Sequence, residues 1–410
     1  MSKLKAISLY TGVGGLDFGF EAAGFSTRVA VEIDPVACRV LSGNRPAWRV
    51  VEDDIGNVSM SRLLDFAGLR SREADVLIGG PPCQPFSKSG YWATGSSRRL
   101  EDARAGTLAH YLKVLKATLP RAFLLENVLG FSFAGKSEAI DFIRAGLSEI
   151  NSLTGVNYSF SMASLNAADF GVPQLRERVF IVGARDGAPF KFPKATHGPK
   201  DETAEGMLPP YLTAWDAIGG LSQSADKRSL AVTGKWADLL PTIPEGKNYL
   251  WHTPRGGGAP LFGWRTRYWN FLLKLAKDQP SWTIQAQPGP STGPFHWENR
   301  KLSAKELCRL QTFPNLDFGF CTRAEIQRLV GNGVPSALAE ALALEIGAQL
   351  LGATRKRGPL SLIPSRKRKT PAAEIPKKVP KKYLGMVGSH LDHPGPGKGA
   401  GALRRLSKVA

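Results

Sequence analysis

The chain predicts an α/β fold built on a doubly wound, mostly parallel sheet, with a smaller irregular domain and a basic tail. Three observations carry this. Over the first 185 residues, short β-branched and aliphatic runs alternate with amphipathic stretches, the rhythm of a parallel sheet covered by helices on both faces. A glycine-rich turn, Leu9-Tyr10-Thr11-Gly12-Val13-Gly14-Gly15-Leu16, joins the first apolar run to the first amphipathic stretch. From about Lys191 to Gly293 the rhythm fails and gives way to Pro and Gly clusters with much tryptophan.

Taken in order, strands are expected over residues 6–9, 28–33, 48–51, 74–78, 122–125, 158–163 and 178–182, with helices following Gly15, Pro35, Ser59, Gly106 and Ser137. Helical periodicity resumes over 303–311, and 335–351 is an Ala/Leu-rich helix entered by a proline at its first turn. Beyond Gly352 the residues are Lys, Pro, Gly and Ser with few large apolar side chains, so disorder is expected. The division that follows is 1–190 plus 323–352 for the sheet domain, 191–322 for the irregular domain and 353–410 for the tail.

A chain of 410 residues, 42% hydrophobic, can bury a sizeable core. No signal-like segment opens it and no run approaches the length needed to cross a bilayer, so a soluble, cytoplasmic protein is expected. Cys38, Cys83, Cys308 and Cys321 show no CxxC spacing and the six histidines no HxxxH pair, which argues against a disulfide framework and a metal site. Residues 351–410 hold fifteen Lys or Arg against Glu374 and Asp392, a balance of +13 out of the chain's +19.

Glu32 lies twenty residues after Gly12, at the end of the second expected strand. Glycines there would let backbone approach a ligand and the carboxylate take ribose hydroxyls, which suits NAD, FAD or S-adenosylmethionine alike. Asp54-Ile55 follows the third strand where an adenine amino group could be held. Asp34 is equally suited to capping the helix that begins at Pro35.

Gly79-Gly80-Pro81-Pro82-Cys83-Gln84-Pro85-Phe86-Ser87 places one cysteine between stiffening prolines just after an apolar strand. Most isolated cysteines are buried small hydrophobes, but Pro-Pro before and Gln-Pro after make a poor core segment, so Cys83 is a candidate nucleophile. Glu126 stands at the C-terminal end of its strand, where open α/β sheets put their chemistry.

Together with Glu126-Asn127-Val128, Gln174-Leu175-Arg176-Glu177-Arg178, the stretch 300–314 and Gly331-Asn332-Gly333-Val334, these motifs resemble the DNA (cytosine-5)-methyltransferase family, in particular the modification enzymes of bacterial restriction systems. The resemblance implies the S-adenosylmethionine-dependent methyltransferase type of sheet, S-adenosylmethionine as cofactor and S-adenosylhomocysteine as product. It assigns cofactor contacts to Tyr10, Gly12, Gly14, Gly15, Leu16, Glu32, Ile33, Asp54, Ile55, Pro82, Asn332 and Val334. It also implies a Cys83 thiolate adding to cytosine C6, Glu126 relieving charge at N3 and Arg178 at O2, with Arg176 as support. Tyr10 stands where phenylalanine is usual, Ser8 where aspartate is frequent and Ile33 where an aromatic often covers adenine.

Double-stranded DNA is then the expected partner, with a restriction endonuclease acting on the same site without a stable complex; the enzyme is expected to be a monomer. Gln84, Ser87, Arg98 and Arg104 lie in or beside a lid-like segment, and Arg255, Arg265 and Arg267 in the variable region, as candidate DNA contacts. The tail is expected to add salt-sensitive affinity while leaving sequence preference unchanged. A tRNA cytosine methyltransferase is the nearest rival reading, and a nicotinamide or flavin oxidoreductase a more distant one.

Overall fold

A computed structural model describes residues 3–82, 106–128, 138–199, 208–221, 229–264, 268–354, 358–367 and 369–388. Its main sheet contains β1 (Leu4–Leu9), β2 (Phe25–Glu32), β3 (Arg49–Glu52), β4 (Val76–Gly79), β5 (Ala122–Val128), β6 (Ser159–Asn166) and β8 (Glu177–Ala184), in the order β3-β2-β1-β4-β5-β8-β6. β8 runs antiparallel to both neighbours and every other pairing is parallel. The seven expected strands are therefore all present. A short pair, β7 (Gln174–Leu175) with β9 (Ser281–Trp282), lies outside this sheet.

Period-2 alternation divides the two faces. Ile7, Leu9 and Leu77 point to the side covered by α3 (Met60–Ala67), α4 (Gly106–Thr118) and α5 (Glu138–Thr154), while Ala6, Val76 and Ile78 point to the other. That second side is covered by α1 (Gly15–Ala22) and α9 (Ser336–Leu350). α2 (Pro35–Asn44) is capped by Asp34, whose carboxylate accepts from Val36 N, so this residue has the capping role.

α1 and α9 approach so closely that only glycine fits at their crossing. A Cβ on Gly19 would lie 2.5 Å from Ala339 Cβ and 2.5 Å from the Ser336 carbonyl oxygen. Gly19→Ala is accordingly expected to cost about 1–3 kcal/mol by overpacking, seen as a lower denaturation midpoint. An unchanged midpoint would show that the helices can separate freely.

The irregular domain is built from short pieces: α6 (Ala214–Ile218), 3₁₀ turns at Ala237–Thr242 and Tyr249–His252, and α7 (Ala304–Leu310), closed by a capping box between Ser303 and Glu306. Their apolar residues form two clusters, one shared with α2 and α8 (Arg323–Asn332), the other at the far end around Leu239, Ile243, Tyr249 and Leu272.

Two expectations need correction. Residues 323–350 do reach the length and apolarity of a bilayer-crossing helix, but they form two helices, α8 and α9, broken at Gly333-Val334-Pro335 and mostly buried in protein. The second concerns the tail. Residues 358–367 and 369–388 are not disordered but packed along both domains, ending in the short α10 (Lys381–Leu384) with Tyr383 buried. Composition underestimates this segment because a few well-placed apolar side chains and backbone hydrogen bonds to buried carboxylates hold it. Residues 389–410 lie outside the described residues.

Candidate active site

Parallel pairing brings the C-terminal ends of β1, β2, β4 and β5 to one edge of the sheet, and antiparallel β8 begins there. Glu126 faces Phe180 in register while Arg178 faces Val128, so the two charged side chains are diagonal neighbours on one face. Arg178 Nε lies 3.0 Å from Glu126 Oε1, both side chains largely buried. Burial pushes the Glu126 carboxyl above its usual range, and the guanidinium groups of Arg178 and Arg176 pull it partly back.

Gly80 packs against this carboxylate: a Cβ there would lie 2.9 Å from Glu126 Oε2. Asn127 donates its side-chain amide to the Pro81 carbonyl at 3.4 Å, tying the loop after β4 to the end of β5. The loop is thus delivered to Glu126 three residues before Cys83. Cys83, Gln84, Ser87, Arg98 and Arg104 themselves lie outside the described residues, and Pro82 is exposed at their border.

Arg176 is 1% exposed and its guanidinium is committed to the protein: Nη1 donates to Ile284 O at 3.3 Å and Nη2 to Gly331 O at 2.9 Å. It does not share the open edge with Arg178. Instead it joins the end of β7 to α8 and to the irregular domain. Beside it, Gln174 donates to the Gln311 side chain at 2.9 Å and accepts from Ile284 N at 2.9 Å, and Gln311 donates to Val330 O at 2.7 Å. Sequence reasoning quoted these two glutamines only within longer motifs and gave them no role, because a buried amide that satisfies backbone carbonyls has no pattern along the chain.

After β1 the backbone turns through left-handed conformations at Tyr10, Gly12 and Gly14 (φ 54°, 57° and 89°) before α1 begins at Gly15. Gly12 N donates to Glu32 Oε2 at 2.7 Å, while Glu32 Oε1 accepts from Asp34 N at 2.9 Å. Among the described residues beyond its own chain neighbours, no atom lies within 4 Å of the place where a Cβ on Gly12 would stand, so the loop presents bare backbone on that side. Ile33, a large aliphatic side chain, is 62% exposed at the same edge.

The other expected cofactor residues divide. Tyr10 donates its hydroxyl to Thr107 O at 2.7 Å, Asp54 accepts from Gly56 N at 2.8 Å, and Asn332 is exposed at the last turn of α8. Gly14 and Gly15 pack against neighbouring protein, and the side chains of Leu16, Ile55 and Val334 are buried in the cores. Asp17 was not anticipated. Fully buried, it accepts from Ser8 and Thr27 hydroxyls at 2.9 Å each, and desolvation pushes it up to about 6. Those bonds tie α1 to β1 and β2 and so hold the glycine loop between them.

In the irregular domain, the Arg255 guanidinium sits 4.1 Å from the centroid of the exposed Trp264 ring. Nearby in sequence, Tyr268, Trp269, Asn270, Phe271, Gln285 and Thr292 line a cleft of about 490 Å³. Arg265 and Arg267 lie outside the described residues.

The seven-stranded, mostly parallel sheet with antiparallel β8 set between β5 and β6 is the fold of the S-adenosylmethionine-dependent methyltransferases. The family model for C-5 cytosine-specific DNA methylases matches residues 4–348, and the chain belongs to that family as a DNA (cytosine-5)-methyltransferase. It is 40% identical over 374 residues to the type II methyltransferase M.SacI of Streptomyces achromogenes, covering 85% of this chain and 94% of that one. With the type II methyltransferase M.NgoFVII of Neisseria gonorrhoeae it shares 34% over 339 residues, 82% of this chain and 84% of the relative. Among solved structures, the S. pombe Dnmt2 methyltransferase has the same fold at a TM-score of 0.56 and 19% identity, covering 84% of this chain and 98% of its own.

Proposed function

We propose that the enzyme moves a methyl group from S-adenosylmethionine to C5 of a cytosine turned out of a specific duplex DNA sequence, through a covalent bond between Cys83 and C6. The observation that carries this reading is the Glu126–Arg178 pair at 3.0 Å, with the backbone leading to Cys83 packed against the same carboxylate.

The residues at the sheet edge fit the cofactor. Open space before Gly12 admits a ligand against backbone, Glu32 keeps further lone pairs for ribose hydroxyls, and exposed Ile33 offers an apolar face to adenine. Bound S-adenosylmethionine would supply an electrophilic methyl group. Cys83 thiolate adds to C6, and the electron pair displaced from the ring is received at N3, where protonated Glu126 donates. C5, now enamine-like, takes the methyl group and S-adenosylhomocysteine is left; the C5 proton then passes to water, the C6–S bond breaks to restore the Cys83 thiolate, and N3 returns its proton to Glu126. Arg178 holds Glu126 in place and faces the O2 side of the base, and Arg176, bonded to Ile284 and Gly331, positions both.

Residues 191–322 are the part we assign to sequence recognition, with Arg255 among its DNA contacts and Arg265, Arg267 and the basic residues after Cys83 as further phosphate contacts. By analogy with the type II relatives, the biological setting is modification of a site cut by a separate restriction endonuclease; apart from that analogy, we read the enzyme as a monomer acting in the cytoplasm. Incubating the protein with S-adenosylmethionine labelled in its methyl group, and with unmethylated duplex DNA or tRNA, tests the reading. Label at cytosine C5 of DNA is expected; label confined to tRNA would overturn it.

A further inference from the structure

The C-terminal segment leaves α9 at Gly352 and makes three separate attachments to the rest of the molecule. The first is to the sheet domain. Glu340 is 3% exposed in the middle of α9, and its carboxylate accepts from Ser361 N at 2.8 Å, Ser361 Oγ at 2.7 Å and Leu362 N at 3.0 Å. A carboxylate buried in an Ala/Leu helix is costly unless such bonds satisfy it.

The second attachment joins the near part of the irregular domain. Lys367 N donates to Asp216 Oδ1 at 2.7 Å, and Trp215 Nε1 donates to Lys369 O at 2.9 Å. Further along, Lys277, buried beside Glu245, gives its ammonium to Glu245 Oε1 at 2.8 Å and to Ala372 O at 3.0 Å, with Glu374 at 3.5 Å. A buried lysine is thus coordinated by groups that this segment brings.

The third is at the far end. Lys377 N donates to Pro241 O at 3.0 Å, and Tyr383 enters the distal apolar cluster, 3% exposed. Its ring stacks on Trp236 with centroids 5.7 Å apart and 19° between planes, and its hydroxyl donates to Lys235 O at 2.6 Å. Trp236 in turn meets Phe262 edge-on at 5.2 Å and Phe271 at 5.9 Å. Phe271 lines the 490 Å³ cleft, and Phe262 lies two residues before Trp264, the ring under Arg255. Two rings therefore connect Tyr383 to the surface assigned to DNA. The described residues around this cluster, 229–264, form 3₁₀ turns and loops, so their arrangement depends on this small core.

We propose that residues 358–367 and 369–388 are a strap that fixes the recognition domain against the sheet domain, and that Tyr383 is a positioning residue for target selection. This replaces the sequence expectation of a tail that leaves sequence preference untouched, and it rests on the reading that residues 191–322 contact DNA. The sequence alone could not show it, because one tyrosine among lysines gives no periodic signal.

The test uses the full chain with Tyr383→Ala and Tyr383→Phe. In Tyr383→Ala, KM for duplex DNA should rise about tenfold or more and discrimination against sites with one altered base pair should narrow, while kcat and S-adenosylmethionine affinity stay within about twofold. Tyr383→Phe, which keeps the stacked ring, should stay near wild type. Amide exchange of residues 235–262, measured without DNA, should accelerate in Tyr383→Ala alone. Unchanged exchange and unchanged KM would overturn the strap, as would a parallel loss of kcat and cofactor affinity, which marks general unfolding. Accelerated exchange with unchanged KM and discrimination would instead place the error in the assignment of this domain to DNA.

Discussion

Cys83→Ser is expected to reduce methyl transfer by at least about a thousandfold, with binding of DNA and S-adenosylmethionine retained. The physical reason is acidity. A thiol is partly ionised near neutral pH, whereas a serine hydroxyl needs a dedicated base to attack C6. The prediction has a second readout. A duplex carrying fluorine at the target C5 has no proton to release after methylation, so the C6–S bond cannot be broken by elimination. Wild-type protein should then become covalently attached to that duplex in the presence of S-adenosylmethionine, and Cys83→Ser should not. Retained turnover in the mutant, or attachment through another residue, would remove Cys83 from the mechanism.

The Glu126–Arg178 pair should give the other large effect. Glu126→Gln keeps the shape but cannot pass a proton to N3, and a loss in kcat of about 10²–10⁴ is expected, the usual worth of a positioned acid. Arg178→Met removes the charge that draws the Glu126 carboxyl down against the upward push of burial. Its pKa should therefore rise further. If protonated Glu126 is the active form, kcat falls as pH rises through that pKa, and in Arg178→Met the falling limb should move to higher pH even as the maximum rate drops. A limb that stays fixed, or moves to lower pH, would mean that Arg178 does not govern this carboxyl. Comparing Arg178→Met with Arg178→Lys separates charge from the geometry of the guanidinium.

Much of the fold could be read along the chain. The parallel strands are continuous apolar runs because both faces are covered, and their ends are placed within a few residues of Leu9, Glu32, Gly79 and Val128. The glycine turn was readable because left-handed backbone at Gly12 and Gly14 favours that residue type. Helix α8 was missed: its buried face is short, and the Gly-Asn-Gly that closes it reads as a turn. Arg176 and Arg178, alternating with Glu177, would project to one face of a strand, and the resemblance alone gave them different roles. Only the sheet register and the positions of Ile284 and Gly331 separate the arginine beside Glu126 from the one consumed by backbone carbonyls.

Local chemistry determined the family motifs, the sheet and the carboxylate at its edge, because backbone conformation and apolar periodicity act over neighbouring residues. The tertiary structure decided which charges are paired, which glycines are contact points and how the C-terminal segment is held. Those outcomes depend on burial, and burial is set by residues far apart in the chain: Glu340 with Ser361, Lys277 with Glu245 and Ala372, Tyr383 with Trp236.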